Sequence, residues 1–309
     1  MKPDDSYLTP EQYLRVRAEA ERALKTANAI GCFPTPIDAI MKAAEVEEVQ
    51  EDVLNEAGFI ERLRGQVSQF TGALKSALSK VRGLLDMRGK LVFIDRSLLV
   101  VQQTFIRVHE AGHAFMKWQR DLYAIVEDCD MTLEPEMADQ FDREANVFAS
   151  EVIFQLDAFT NEANDYDFGI NVPLKLSKNY GASIYASIRR YVSQHHRACA
   201  VIVLNKPELI EGDGFRAEVR RVCPSPKFLE TFGEMKLPEF ITPDHRLGHM
   251  VPLGGKRMTG ARKIKVADRN GCDNKCVAEA FTQGIQVFIL IHAVETLNKT
   301  TIIMPGNTV

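Results

Sequence analysis

His109, Glu110 and His113 form the most chemically suggestive spacing in this 309-residue chain. In an α-helix the two imidazoles, four residues apart, fall on one face one turn apart, so both can reach a single metal ion. Glu110, directly after the first histidine, can act as general base on a water that such an ion activates. The order His-Glu-x-x-His is the one that zinc-dependent peptidases carry on a helix. Two imidazoles leave the ion short of donors. Catalytic zinc takes three protein ligands and a water, and two histidines with one glutamate are a common set. Zn2+ is the expected cofactor, and other divalent transition metals suit the same donors.

The third donor is sought downstream, where Met137, Phe141, Phe148 and Val152 trace the apolar face of a second helix. Glu144 falls on that face. A carboxylate in an apolar stripe is costly unless it is paired or bound to metal. Glu144 is thus read either as the third ligand, beside His109 and His113, or as a boundary glutamate paired with an arginine such as Arg107.

Here a resemblance becomes specific. A helix ending in the histidine pair, followed by Glu144-Ala145-Asn146-Val147-Phe148-Ala149, resembles the ImmA/IrrE family of metallo-endopeptidases. Pro34 to Ile40 resembles that family's early helix after a proline, Lys90 to Asp95 its strand before the zinc helix, and Leu176 to Tyr191 its helix-turn-helix-like segment. The similarity runs over about residues 30–195. It implies a zinc endopeptidase that cleaves a helix-turn-helix (Xre-type) transcriptional repressor, in a stress response or in control of mobile elements. Carried over by position, His109, His113 and Glu144 match the metal ligands and Glu110 the catalytic base. In some members the C-terminal region resembles a GAF-type sensor domain.

The elements that must position these residues follow from periodicity. Lys90 to Asp95 is a short strand, read as an edge to which an extended substrate can add. Asp95 or Ser97 can cap the following helix, whose buried stripe is Val101, Phe105, Val108, Gly112 and Phe115. Gln12 to Ala29 is amphipathic, Val67 to Leu85 reads as helical, and Asp121 to Glu136 as a loop or short helix. Ser183 caps a helix after the turn Tyr180-Gly181-Ala182. Arg189 and Arg190 on that helix are the groups a DNA-binding reading would use against phosphates. A structural helix pair is the favoured reading.

After His195, Ala198 to Leu204, Arg216 to Val222, Lys263 to Ala267 and Ile285 to His292 have strand character. Phe228 to Phe232 and Cys276 to Phe281 look helical or mixed. The expected fold class is α+β: a mainly helical, zincin-like domain with a small sheet over residues 1–160, a helix-turn-helix-like segment over 161–194, and a C-terminal α+β domain over 195–309. His245 and His249 with Cys272 and Cys276 could form a structural zinc site, though the spacing is atypical. Lys256, Arg257, Arg262, Lys263 and Lys265 read as a solvated loop or hairpin, with an anionic partner as the alternative.

Composition sets the outer bounds. With 45% hydrophobic residues the chain can bury a substantial core, and a net charge of −4 gives no overall pull towards nucleic acid. Direct nucleic-acid binding is therefore not expected. No apolar run approaches the roughly 20 residues needed to span a bilayer, and Met1 to Asp5 lacks a secretory apolar core. A cytoplasmic location with reduced cysteines follows as the expectation. The rival to the peptidase reading is a non-proteolytic, metal-binding transcriptional regulator that acts by gripping a partner.

Overall fold

The computed structural model describes residues 8–49, 83–86, 90–94, 96–128 and 133–294. Of the helix expected over Val67 to Leu85, residues 67–82 lie outside the described residues, as does the capping role of Asp95. The chain divides into two compact units, Lys2–Tyr191 and Val192–Val309. The segment expected as a separate linker thus falls, up to Tyr191, within the first unit.

The first unit opens on α1 (Pro10–Thr26), started by a capping box in which Thr9 and Gln12 satisfy each other's backbone N–H groups. Its stripe of Val16, Ala20, Ala23 and Leu24 is buried. After α2 (Ile37–Ala43) comes a small sheet with β3 (Leu91–Ile94) in its centre. Strand β1 (Glu47–Glu48) pairs with β3 in parallel, and β2 (Gly83–Asp86) pairs with it antiparallel. This corrects the expectation that Leu91 to Ile94 is an edge. Strand β2 covers Leu91 to Ile94 on one side and β1 covers Leu91 and Val92 on the other, so over Leu91 and Val92 no side is left for a substrate strand. Residues 83–85, whose small and apolar spacing reads as the end of a helix, belong to strand β2 instead.

Next comes α3 (Val100–Phe115), which carries the histidine pair and buries Val108, Ala111, Gly112 and Phe115. It begins after Leu99, whose N–H donates to the Gln102 side chain. The acidic stretch expected as a loop or short helix is in part α4 (Lys117–Asp128). The long α5 (Pro135–Ile153) buries Phe141, Val147, Phe148 and Val152 together with the charged Glu144 and Glu151.

Helices α3 and α5 touch closely at Gly112, where a Cβ would stand 2.8 Å from Phe148 Cδ1 and 3.2 Å from its Cγ. Phe148 is fully buried, so its ring cannot swing aside cheaply. Gly112→Ala is expected to cost about 1–3 kcal/mol as an overpacked core, read as a lower chemical-unfolding midpoint; unchanged stability would show that α3 and α5 can part without penalty.

The unit continues through α6 (Ala158–Asn164), α7 (Asn171–Asn179) and α8 (Ile184–Ser193). The turn between α7 and α8 has Gly181 at φ +61°, and the Ser183 hydroxyl accepts the Ala186 N–H, as the cap reading expected. Arg190 is not available to a phosphate. It is buried, ion-paired with Glu151, and donates to the Leu156 carbonyl. Glu151 also accepts from Tyr13 and Arg17 of α1, so one buried carboxylate joins α1, α5 and α8.

The C-terminal unit is an antiparallel sheet in the order β5-β6-β4-β10-β9-β8, with β7 against β6. Its strands are β4 (Cys199–Asn205), β5 (Glu208–Ile210), β6 (Gly214–Pro224), β7 (Phe240–Ile241), β8 (Met258–Ala267), β9 (Asp273–Thr282) and β10 (Gln286–Ala293). Helix α9 (Pro226–Phe232), capped by Ser225, adds Phe228 and Phe232 to the core formed with Ile202, Leu204, Ile289 and Ile291. Cys276 to Phe281, expected as helical or mixed, is strand. Cys276, Ala278 and Ala280 alternate inward there, and small residues disguise the period of two. The basic residues Arg262, Lys263 and Lys265 are exposed on the outer strand β8.

His195, in this unit, is buried and its Nδ1 accepts the Arg197 backbone N–H at 3.0 Å, which requires the neutral ring. Burial, followed by the charges of His196, Arg197 and His292, pulls its pKa down to about 4. An unfolded histidine titrates near 6.5. The folded chain therefore binds fewer protons between these values, and stability drops as pH falls from about 6.5 to about 4. Replacing His195 with Gln is expected to flatten that part of the unfolding-midpoint profile; an unaltered slope would remove His195 as its source.

Candidate metal centre

Helix α3 brings the two imidazoles together as the spacing expected, with His109 Nε2 and His113 Nε2 3.1 Å apart. The third group beside them is Asp142 of α5. Its Oδ1 lies 3.8 Å from His109 Nε2 and 3.9 Å from His113 Nε2. These three form the group of potential metal donors found among the described residues. Ligands about 2.0–2.2 Å from a tetrahedral ion stand roughly 3.3–3.6 Å from one another, so this set, with spacings of 3.1, 3.8 and 3.9 Å, is close to what one divalent cation needs.

Glu144 is not part of that group, and the expectation that it is the third ligand is corrected. Positions 142 and 146 share one face of α5, and Glu144 lies some 200° round the helix from Asp142. Its fully buried carboxylate accepts instead from Arg15 (2.9 Å), Trp118 Nε1 (2.7 Å), Gln119 Nε2 (2.7 Å) and Gln140 (3.3 Å). The pairing reading was right in kind but named the wrong cation. Arg107 pairs with Asp38 and Glu48, while Arg15 reaches Glu144 from α1.

The outer face of each imidazole meets a side-chain amide oxygen. His109 Nδ1 is 3.1 Å from Asn146 Oδ1, and His113 Nδ1 is 2.6 Å from Gln119 Oε1. An Nδ1 facing an oxygen carries the proton, which leaves a lone pair on Nε2. Two such lone pairs facing each other are unfavourable unless a metal ion or a shared proton lies between them. The arrangement is therefore compatible with a metal-binding role. His113, held by burial and by the neighbouring His109, has its pKa pulled down to about 4, which keeps the ring neutral.

Glu110 is buried, and its carboxyl is pushed above the usual carboxylate range, chiefly by burial, with His109 opposing and Asp142 adding to the rise. A carboxylate raised in this way is a better proton acceptor near neutral pH. Tyr123 of α4 stands edge-on to His113, with ring centroids 5.9 Å apart, and packs on Phe141. Burial, then Asp142 and Glu110, holds its phenol protonated. Sequence reasoning missed Asp142, Asn146, Gln119 and Tyr123. The one local hint was the four-residue spacing of Asp142 and Asn146. The other pairs considered, His245 with His249 and Cys272 with Cys276, do not converge on a common centre.

A histidine pair and an adjacent glutamate on one helix, with a carboxylate from the helix packed on it, form a group that could hold a divalent cation within an α+β fold. The family comparison is consistent with a metallopeptidase-type domain. Residues 67–190 match the peptidase M78 model, the IrrE N-terminal-like domain. No curated protein matches the sequence. A solved structure of a Mycobacterium tuberculosis transcriptional regulator is similar over 92% of this chain and 81% of that one, with 14% identity and a TM-score of 0.51. At that identity the likeness concerns the fold. No helix among the described residues is long and apolar enough to cross a membrane.

Proposed function

We propose that the chain is a zinc-dependent endopeptidase that hydrolyses a helix-turn-helix, Xre-type transcriptional repressor. The observation that carries the peptidase reading is the convergence of His109, His113 and Asp142 beside the buried Glu110. When bound there, a divalent cation supplies Lewis acidity for the scissile carbonyl and for the attacking water. Glu110 takes the proton of that water and returns it to the leaving amine. Asn146 and Gln119 hold the two imidazoles in the ligating tautomer. Tyr123 offers its phenolic proton to the oxygen on which charge develops. Tyr123→Phe is expected to lower kcat by about 100-fold with metal content unchanged; equal loss of metal would make its role structural.

The repressor as substrate, and the stress or mobile-element context, rest on the family resemblance. The test incubates the protein with a helix-turn-helix repressor, with and without a chelator, and maps any cut by mass spectrometry. Chelator-sensitive cleavage at one site is the expected result. An intact repressor that is nonetheless bound would favour the second reading, a metal-holding regulator. That reading draws on the name of the mycobacterial neighbour, a transcriptional regulator.

A further inference from the structure

We infer that Glu144 and Gln119 form a positioning relay that fixes the ligating tautomer of His113, an inference that rests on reading His109, His113 and Asp142 as the metal set. Gln119 is fully buried. Its amide oxygen faces His113 Nδ1 at 2.6 Å, and its amide nitrogen donates to Glu144 Oε2 at 2.7 Å and to the Phe141 carbonyl at 3.3 Å. A primary amide turned by 180° keeps its shape but exchanges donor for acceptor. Turned that way, Gln119 would present N–H groups to His113 Nδ1. The ring would then carry its proton on Nε2, where it cannot ligate.

Glu144 forbids the turned state. Its Oε2, and the Phe141 carbonyl, would then face the Gln119 oxygen with no proton between them, and a buried acceptor without a donor is costly. The carboxylate cannot rotate away, because Arg15 and Gln140 hold Oε1 while Trp118 and Gln119 share Oε2. The Arg15 guanidinium also lies 4.1 Å over the Trp118 ring, which anchors that donor pair. The residue that the sequence offered as a ligand thus acts one step further out. It orients the amide that orients the imidazole.

The test measures Co2+ affinity by chelator competition, and the visible spectrum of the bound ion, on the full chain. Gln119→Met keeps the volume and removes the acceptor. It is expected to weaken Co2+ binding about 10–100-fold, as is typical when an outer partner of a ligand is lost, with the circular dichroism spectrum unchanged. Gln119→Glu alone sets two carboxylates against each other and should also lose affinity. Combining it with Glu144→Gln restores a donor facing an acceptor between positions 119 and 144 and should recover part of that loss, because Trp118 Nε1 and the Phe141 carbonyl still lack their former partners. A Gln119→Met protein that binds Co2+ within about two-fold of the parent overturns the relay. Should that variant fail to fold, absence of recovery in the double exchange overturns it instead. His109→Ala separates the two levels. If it abolishes Co2+ binding while Gln119→Met does not, the relay alone is wrong. If neither change matters, the metal site itself is wrong.

Discussion

The Glu110→Gln protein is expected to hold a divalent cation as tightly as the parent and to lose repressor cleavage by about 10²–10⁴-fold, the usual contribution of a positioned general base. The geometry supports separating the two effects. Glu110 is outside the donor group of His109, His113 and Asp142. The exchange keeps the size of a buried side chain on α3, so the fold should persist. Measurement requires cleavage kinetics and Co2+ titration on the same preparation. Cleavage surviving at the parental rate would remove hydrolysis by Glu110 from the mechanism. Loss of the metal together with activity would instead assign Glu110 a role in building the site.

Asp142→Ala carries the second large effect. Metal affinity should fall by more than the ~10–100-fold typical of an outer partner, because a direct donor is removed. Stability should barely change, since the Asp142 side chain is 69% exposed. The contrast with Glu144→Ala is diagnostic. That change strips the acceptor from Trp118, Gln119 and Gln140 and should cost about 1–3 kcal/mol for each buried donor left unpaired. Isothermal titration with the metal and chemical unfolding of both variants read the two outcomes. A metal affinity that survives Asp142→Ala but not Glu144→Ala, with both proteins folded, would return Glu144 to the ligand set.

The histidine pair and Glu110 were legible because their spacing is local and the helix enforces it. The third carboxylate was not. An apolar stripe marks which residues are buried but says nothing of what they meet. Glu144 is buried because Arg15, more than a hundred residues earlier, and Trp118 and Gln119 on α4 reach it, contacts that no window on α5 reveals. Asp142 gave no signal in the stripe because it is exposed. In the C-terminal unit the hydrophobic strands β4 and β10 announced themselves, whereas β9, with its alanines, did not. The central place of β3 depended on β2, a four-residue strand inside a stretch that reads as helix.

Helix α1 lies wholly upstream of the segment that matches the family, residues 67–190, yet its Arg15 and Arg17 supply positive charge to both buried acids of α5. Excising the matched segment as a minimal peptidase would strip these counterions from Glu144 and Glu151 and expose the apolar surface that Val16, Ala20 and Leu24 cover. The matched segment is therefore not autonomous within the borders by which sequence similarity delimits it, and any truncated version meant for assay must begin before Thr9.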